Sequence, residues 1–191
     1  MNYLAHLHIA DHCGSSLLGN LLGDFVKGNP DDQLPAHLSS GVKLHRFVDS
    51  YTDQHSIVVE AKQLFPNGLR RFSGIALDMF WDHCLAKRWD EYHTDSLSRF
   101  CRHAEHTVRA DNEHSLPQRF IHVSDAMWQG RWLESYRHFE NIEYALQRMS
   151  RRSPRMQRLS ECSMPLFNHY EQLNETFSRF YPDLLTASKS F

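Results

Sequence analysis

The chain has 191 residues, 41% hydrophobic and 23% charged, which is the composition of an ordinary globular fold with length enough for one buried core, not of a disordered chain. Its formal net charge of -2 argues against a general nucleic-acid binder, whose balance is basic. The four cysteines (Cys13, Cys84, Cys101, Cys162) stand singly with no CxxC pair, which argues against a disulfide framework and a structural zinc site and favours a reducing compartment.

In chain order, the first ten residues lack the basic and apolar regions of a signal peptide, and charged residues or histidines interrupt every apolar run. A cytoplasmic protein without a membrane partner is expected. Residues 2–11 read as a short helix with Asn2 and His6 four apart, and His8 on another face. Ser15 or Ser16 caps a second helix to about Lys27, in which Asn20 and Asp24 lie on a polar stripe among leucines. Gly19 and Gly23 flank that stripe. A helical glycine costs about 1 kcal/mol relative to alanine, so a close backbone approach is expected there. Asp24 sits among apolar neighbours, which predicts partial burial and a partner.

A turn-rich connector over 27–35 leads to a helix from about Ala36 to Phe65 with a bend near Thr52. Within it His45, Asp49 and Asp53 recur every four residues along one face, offering one nitrogen and several oxygens to a divalent cation. A solvated face with incidental charges is the plain alternative. Residues 70–89 form an almost wholly apolar central helix that nevertheless contains Asp78 and Asp82, with His83 about 140° round from Asp78. Two carboxylates in such a helix need compensation, and a bound cation supplies it.

Further helices are expected at 94–112, 117–129, 131–150 and 155–181, and no strand, which makes the chain all-α and a single domain over 1–191. His103 and His106 read as surface residues. Phe120, Trp128, Trp132, Tyr136 and Phe139 read as core. Arg148, Arg151, Arg152, Arg155 and Arg158 form a basic patch that calls for an acidic partner, with solvated helix ends as the plain alternative.

The candidate site thus comprises His6, Asp24, His45, Asp49, Asp78, Asp82 and His83, with Asn2, Asn20 and Asp53 around them. A cysteine-free His/Asp set suits manganese, magnesium or iron, and such a metal commonly binds a phosphoryl oxygen and lowers the pKa of a water. Acyl-enzyme and P-loop motifs are absent. The helical metal site resembles HD-domain phosphohydrolases, although no adjacent His-Asp dipeptide is present.

A closer resemblance lies in four collinear blocks: Asn2-Tyr-Leu-Ala-His6-Leu-His8, Gly19-Asn-Leu-Leu-Gly-Asp24-Phe-Val-Lys-Gly28, His45-Arg-Phe-Val-Asp49-x-x-Thr-Asp53 and Leu77-Asp78-Met-Phe-Trp-Asp82-His83. They resemble the bacterial acyl carrier protein phosphodiesterases, and the likeness continues through Arg119-Phe120-Ile121, Trp132, Tyr136, Arg152-Ser-Pro154-Arg155 and Phe180-Tyr-Pro182. The resemblance implies a distorted HD-like helical fold and removal of 4'-phosphopantetheine from the serine of holo-acyl carrier protein. It also implies a divalent cation, manganese ahead of magnesium or iron, and no nucleic acid. On that reading Asp24, His45, Asp49 and Asp78 hold the cation, with Asp82 an alternative to Asp49. Catalytic roles fall to His6, His83 and Asp82, and the arginine patch docks the carrier protein. An HD-like hydrolase of a small nucleotide and a non-catalytic helical protein binding an acidic partner are the alternatives.

Overall fold

The computed structural model describes residues 1–111 and 115–191, so the expected helix end at 112 lies outside the described residues. Among the described residues every regular element is helical, in agreement with the all-α expectation. None of these helices is long and apolar enough to cross a membrane.

The fold is arranged around helix α1 (Tyr3–His12), whose Leu4, Ala5, Leu7, Ile9 and Ala10 are all buried. An apolar surface on every side forces neighbours on every side. These are α2 (Leu17–Leu21), α3 (Ala36–Gln54), α5 (Ser73–Lys87) and α11 (Tyr170–Lys189), with α4 (Ser56–Lys62) beside α3 and α11. The outer helices are α6 (Leu97–Ala110), α7 (Gln118–Gln129), α8 (Trp132–Ser135), α9 (Phe139–Ser150) and α10 (Ser163–Asn168).

The second predicted helix is shorter than expected. Ser16 caps α2 by accepting from Gly19 N, but the helix tightens into a 3-10 turn at Leu22–Asp24 and does not reach Lys27. The Arg46 guanidinium, arriving from α3, donates to the carbonyls of Val26 and Gly28 and draws that backbone out of helical register. Likewise the long helix expected over 36–65 breaks at His55, which is extended, and the one expected over 131–150 divides into α8 and α9. The stretch 155–181 begins as a 3-10 run, Pro154–Cys162, and its last helix passes Pro182 to end at Lys189. Leu173, Phe177, Phe180, Tyr181 and Leu184 bury the inner face of α11 on both sides of that proline, and this packing outweighs the lost N–H.

Two glycines set how closely α2 and α3 cross. A Cβ on Gly19 would lie 2.6 Å from the Leu38 carbonyl oxygen and 3.0 Å from Gly41 Cα, and one on Gly23 would collide with the His45 ring. The close approach anticipated for Gly19 and Gly23 is therefore real, and its effect is to seat an imidazole against the 3-10 turn that carries Asp24.

Candidate active site

The core of the site is a pair of imidazoles. His6 on α1 and His45 on α3 stack with ring centroids 3.7 Å apart and 15° between planes. Both approach one carboxylate: His6 Nε2 lies 3.1 Å from Asp49 Oδ1, and His45 Nε2 lies 3.2 Å from Asp49 Oδ2. Asp24 Oδ1 is 3.6 Å from His45 Nε2. The Met1 α-amino group lies 3.2 Å from Asp49 Oδ1 and 2.9 Å from Asp78 Oδ1, which brings α5 to the same point. The imidazoles are inside, at 2% and 4% side-chain exposure, whereas Asp49 is 41%, Asp78 34% and Asp24 56% exposed. The arrangement is a buried nitrogen floor with a wet carboxylate rim. Asp24 is thus more exposed than its apolar neighbours in sequence suggest, because the 3-10 turn that lets Gly23 meet His45 leaves Asp24 at the edge.

The charges divide sharply. Burial, with the neighbouring His45 charge, pushes His6 down to about 4. Burial works against charge on His45 as well, but hydrogen bonds to Asp24 and Asp49 outweigh it and hold His45 up at about 9. Asp49 is buried enough to be pushed up, yet the two histidines and the ammonium hold it far below the ordinary carboxylate range. Asp24 is lowered, chiefly by its hydrogen bond to His45. Asp78 alone of these three carboxyls is raised, by burial.

Whether this set suits a divalent cation is answered by the groups left over. Among the described residues Nδ1 of His6 and Nδ1 of His45 are buried without a hydrogen-bond partner, an expensive condition for two adjacent polar rings. Ligand atoms of His6, His45 and Asp49 lie within 4.8 Å of one another, and two imidazole nitrogens with carboxylate oxygens are the donors that manganese, iron or magnesium accept. The residues fit. His6, expected as a proton carrier apart from the ligands, stands within the ligand cluster instead.

Several expected participants lie elsewhere. Asp82 turns to the start of α1 and accepts from Leu4 N at 2.8 Å and Ala5 N at 3.0 Å. It caps that helix from a distance, since Asn2 at the N-cap provides no side-chain bond. Burial raises Asp82 to about 7 against the pull of those two N–H groups. His83 has both nitrogens engaged, at 2.8 Å from the Tyr136 carbonyl oxygen and 2.6 Å from Tyr170 Oη, among Phe80 and Phe139. These contacts engage both Asp82 and His83 away from the His6, His45 and Asp49 cluster, in which neither stands. Asp53 pairs with Lys62 at 2.8 Å and is exposed, because a four-residue repeat drifts about 40° per step and eight residues carry it off the His45 face. Asn20 is buried, but its amide bonds Ser15 Oγ and the Ser16 carbonyl, so it supports the α2 cap. Asn2 lies beside the site, its amide 3.0 Å from Met79 Sδ.

His103 and His106 are exposed as expected. The five arginines of the basic patch are also exposed, but Arg158 is committed to Glu161, with two bonds of 2.9 Å, and to the Gly68 carbonyl. Tyr3, which the sequence did not single out, lies near both Asp24 and Arg152, and burial with the Asp24 charge raises its phenol to about 12. Only its place next to Asn2, at the head of a helix aimed at the site, could have drawn attention to it.

Fold and site together define a class: a helical protein in which two buried histidines and a half-exposed aspartate form a donor set that suits a cation. Within that class, residues 1–184 match the acyl carrier protein phosphodiesterase family, and the chain belongs to it. It is 39% identical over 191 residues to the acyl carrier protein phosphodiesterase of Klebsiella pneumoniae subsp. pneumoniae, covering 100% of this chain and 98% of the relative. The Yersinia pestis protein of the same name is 40% identical over 190 residues, 99% of this chain and 98% of the relative. That of Escherichia coli O6:H1 is 40% identical over 186 residues, 97% and 96%. No solved structure matches the chain.

Proposed function

We propose that the protein is a cytoplasmic, metal-dependent hydrolase that cleaves the phosphodiester joining 4'-phosphopantetheine to the serine of holo-acyl carrier protein, yielding the apo-protein. Family membership supports the substrate. The observation that carries the metal dependence is the stacked His6–His45 pair, with two unpartnered buried nitrogens and one shared carboxylate.

In this reading His6, His45 and Asp49 hold the cation, most suitably manganese, and Asp24 and Asp78 complete its surroundings from the rim. When bound, the cation polarises a phosphoryl oxygen and acidifies a water. The chain's own groups do the rest. Asp24 and Asp49, both lowered, stay anionic, and Asp78, paired with the Met1 α-amino group at 2.9 Å, stands with them on the carboxylate rim. Arg151 and Arg155, exposed beside the site-facing Arg152, attract the acidic carrier protein, and this attraction should weaken with salt.

Incubation with holo-carrier protein and manganese, read by intact mass, should show loss of the prosthetic group and appearance of 4'-phosphopantetheine, and chelator should abolish both. Unchanged carrier mass would overturn the assignment.

A further inference from the structure

A cavity of about 290 Å³ opens beside the candidate centre, between the start of α1, α5, α8 and α9. Two of its wall residues are the sequence neighbours of residues at the site. Met79 of its wall follows Asp78 on α5, and Asn2 of its wall follows Met1, whose amino group touches Asp49 and Asp78. Its walls are flat and amphipathic: Tyr3, Trp132, Tyr136 and Tyr144 supply rings. Asn2 and Asn141 supply amides, and the Asn141 amide is oriented by its 2.8 Å bond to the Ser135 carbonyl. Arg148 and Arg152 stand at the surface edge, with Arg148 over the Tyr144 ring. Trp132 and Tyr136 therefore do more than fill the core.

We propose that this cavity holds the pantetheine arm of the substrate, so that the enzyme grips the prosthetic group itself and not only the carrier protein. This rests on the function proposed above. The shape excludes the other part of the substrate: a helix with its side chains is about 10–12 Å across, too broad for a cavity of this volume. A linear, uncharged chain with two amides and a terminal thiol matches the lining, since its amides find Asn2 and Asn141 while its methylenes lie on the rings. Phosphate at one end of that chain would fall between the carboxylate rim and Arg152, where an arginine offsets its charge. The arginine patch then has two parts. Arg148 and Arg152 belong to the arm, and Arg151 and Arg155 remain for the carrier protein.

The test uses phosphate-free pantetheine as a competitor and Ala145→Phe, which fills the cavity from α9. With holo-carrier protein and manganese, pantetheine should inhibit the wild-type enzyme competitively. Ala145→Phe should raise KM at least 10-fold and lose that inhibition, while its affinity for apo-carrier protein is unchanged. Tyr144→Ala, at an exposed wall position, should weaken inhibition several-fold, and it serves as the second variant if Ala145→Phe does not fold. Normal KM and normal inhibition in a folded Ala145→Phe, or no inhibition of the wild type, would overturn the arm site and leave the hydrolase assignment standing. Failure of wild-type enzyme to release the prosthetic group at all would overturn both.

Discussion

Among the described residues the protein buries four histidines, and they are satisfied in opposite ways. His8 has Nδ1 2.7 Å from Tyr181 Oη and Nε2 3.1 Å from the Tyr92 carbonyl oxygen, and His83 is likewise closed on both sides by Tyr136 and Tyr170. His6 and His45 are as deeply placed, yet each keeps a nitrogen without a partner, and both crowd one carboxylate. A histidine with both nitrogens satisfied is finished as structure. One left half-satisfied against another carries an unmet cost, and on the function proposed above that difference divides the scaffold histidines from those that would hold the cation.

The strongest way to break this contrast is Asp49→Ala. Removing the carboxylate shared by the open pair should lower turnover about 100-fold or more. Metal content measured on the purified variant should fall in parallel, and full activity with full metal content would contradict the distinction. Gly23→Ala comes next, because its methyl group meets the His45 ring. Overpacking of this kind costs about 1–3 kcal/mol, and both chemical denaturation and turnover should register it.

The closed pair should respond in stability. Burial holds His8 down at about 4, below its unfolded value near 6.5, so protons bind the unfolded chain preferentially between those two values. Stability conferred by keeping His8 neutral is therefore present above about pH 6.5 and is lost as pH falls. From pH 7 to 5 this residue alone should remove about 2 kcal/mol, and urea melts of His8→Gln should show a smaller pH slope than the wild type. His83→Gln should cost about 1 kcal/mol by opening one of two buried bonds, with turnover of the folded protein retained. A large loss of turnover at unchanged melting temperature would return His83 to the chemistry. The smallest effect is expected at the surface: Arg151→Glu with Arg155→Glu should raise KM for carrier protein a few-fold and flatten its salt dependence, with little change in kcat.

Helical spacing made part of the site legible in advance. His45 and Asp49 are one turn apart, and that short-range geometry carried directly into the fold. Gly19 and Gly23 announced a close crossing because nothing local explains two glycines in a helix. Asp82 misled for an equally physical reason. A carboxylate in an apolar helix needs compensation, but the compensation is a pair of backbone N–H groups 77 and 78 residues away, and side-chain spacing carries no trace of them. Tyr136 lies in the core and Trp132 packs against it, as expected, but both also line the cavity, and rings that line a cavity and rings that fill one have the same sequence pattern.

Local chemistry determined the elements of this protein: where apolar periodicity makes helices, which polar groups those helices carry, and which family the blocks resemble. Tertiary structure decided which polar groups meet. Helices α1, α3 and α5 belong to distant parts of the chain, and the packing of Gly23 against His45 sets which ring faces which carboxylate. Partners supplied across such distances satisfy both nitrogens of one buried histidine and only one of another, because what a buried nitrogen meets depends on its neighbours in space and not in sequence.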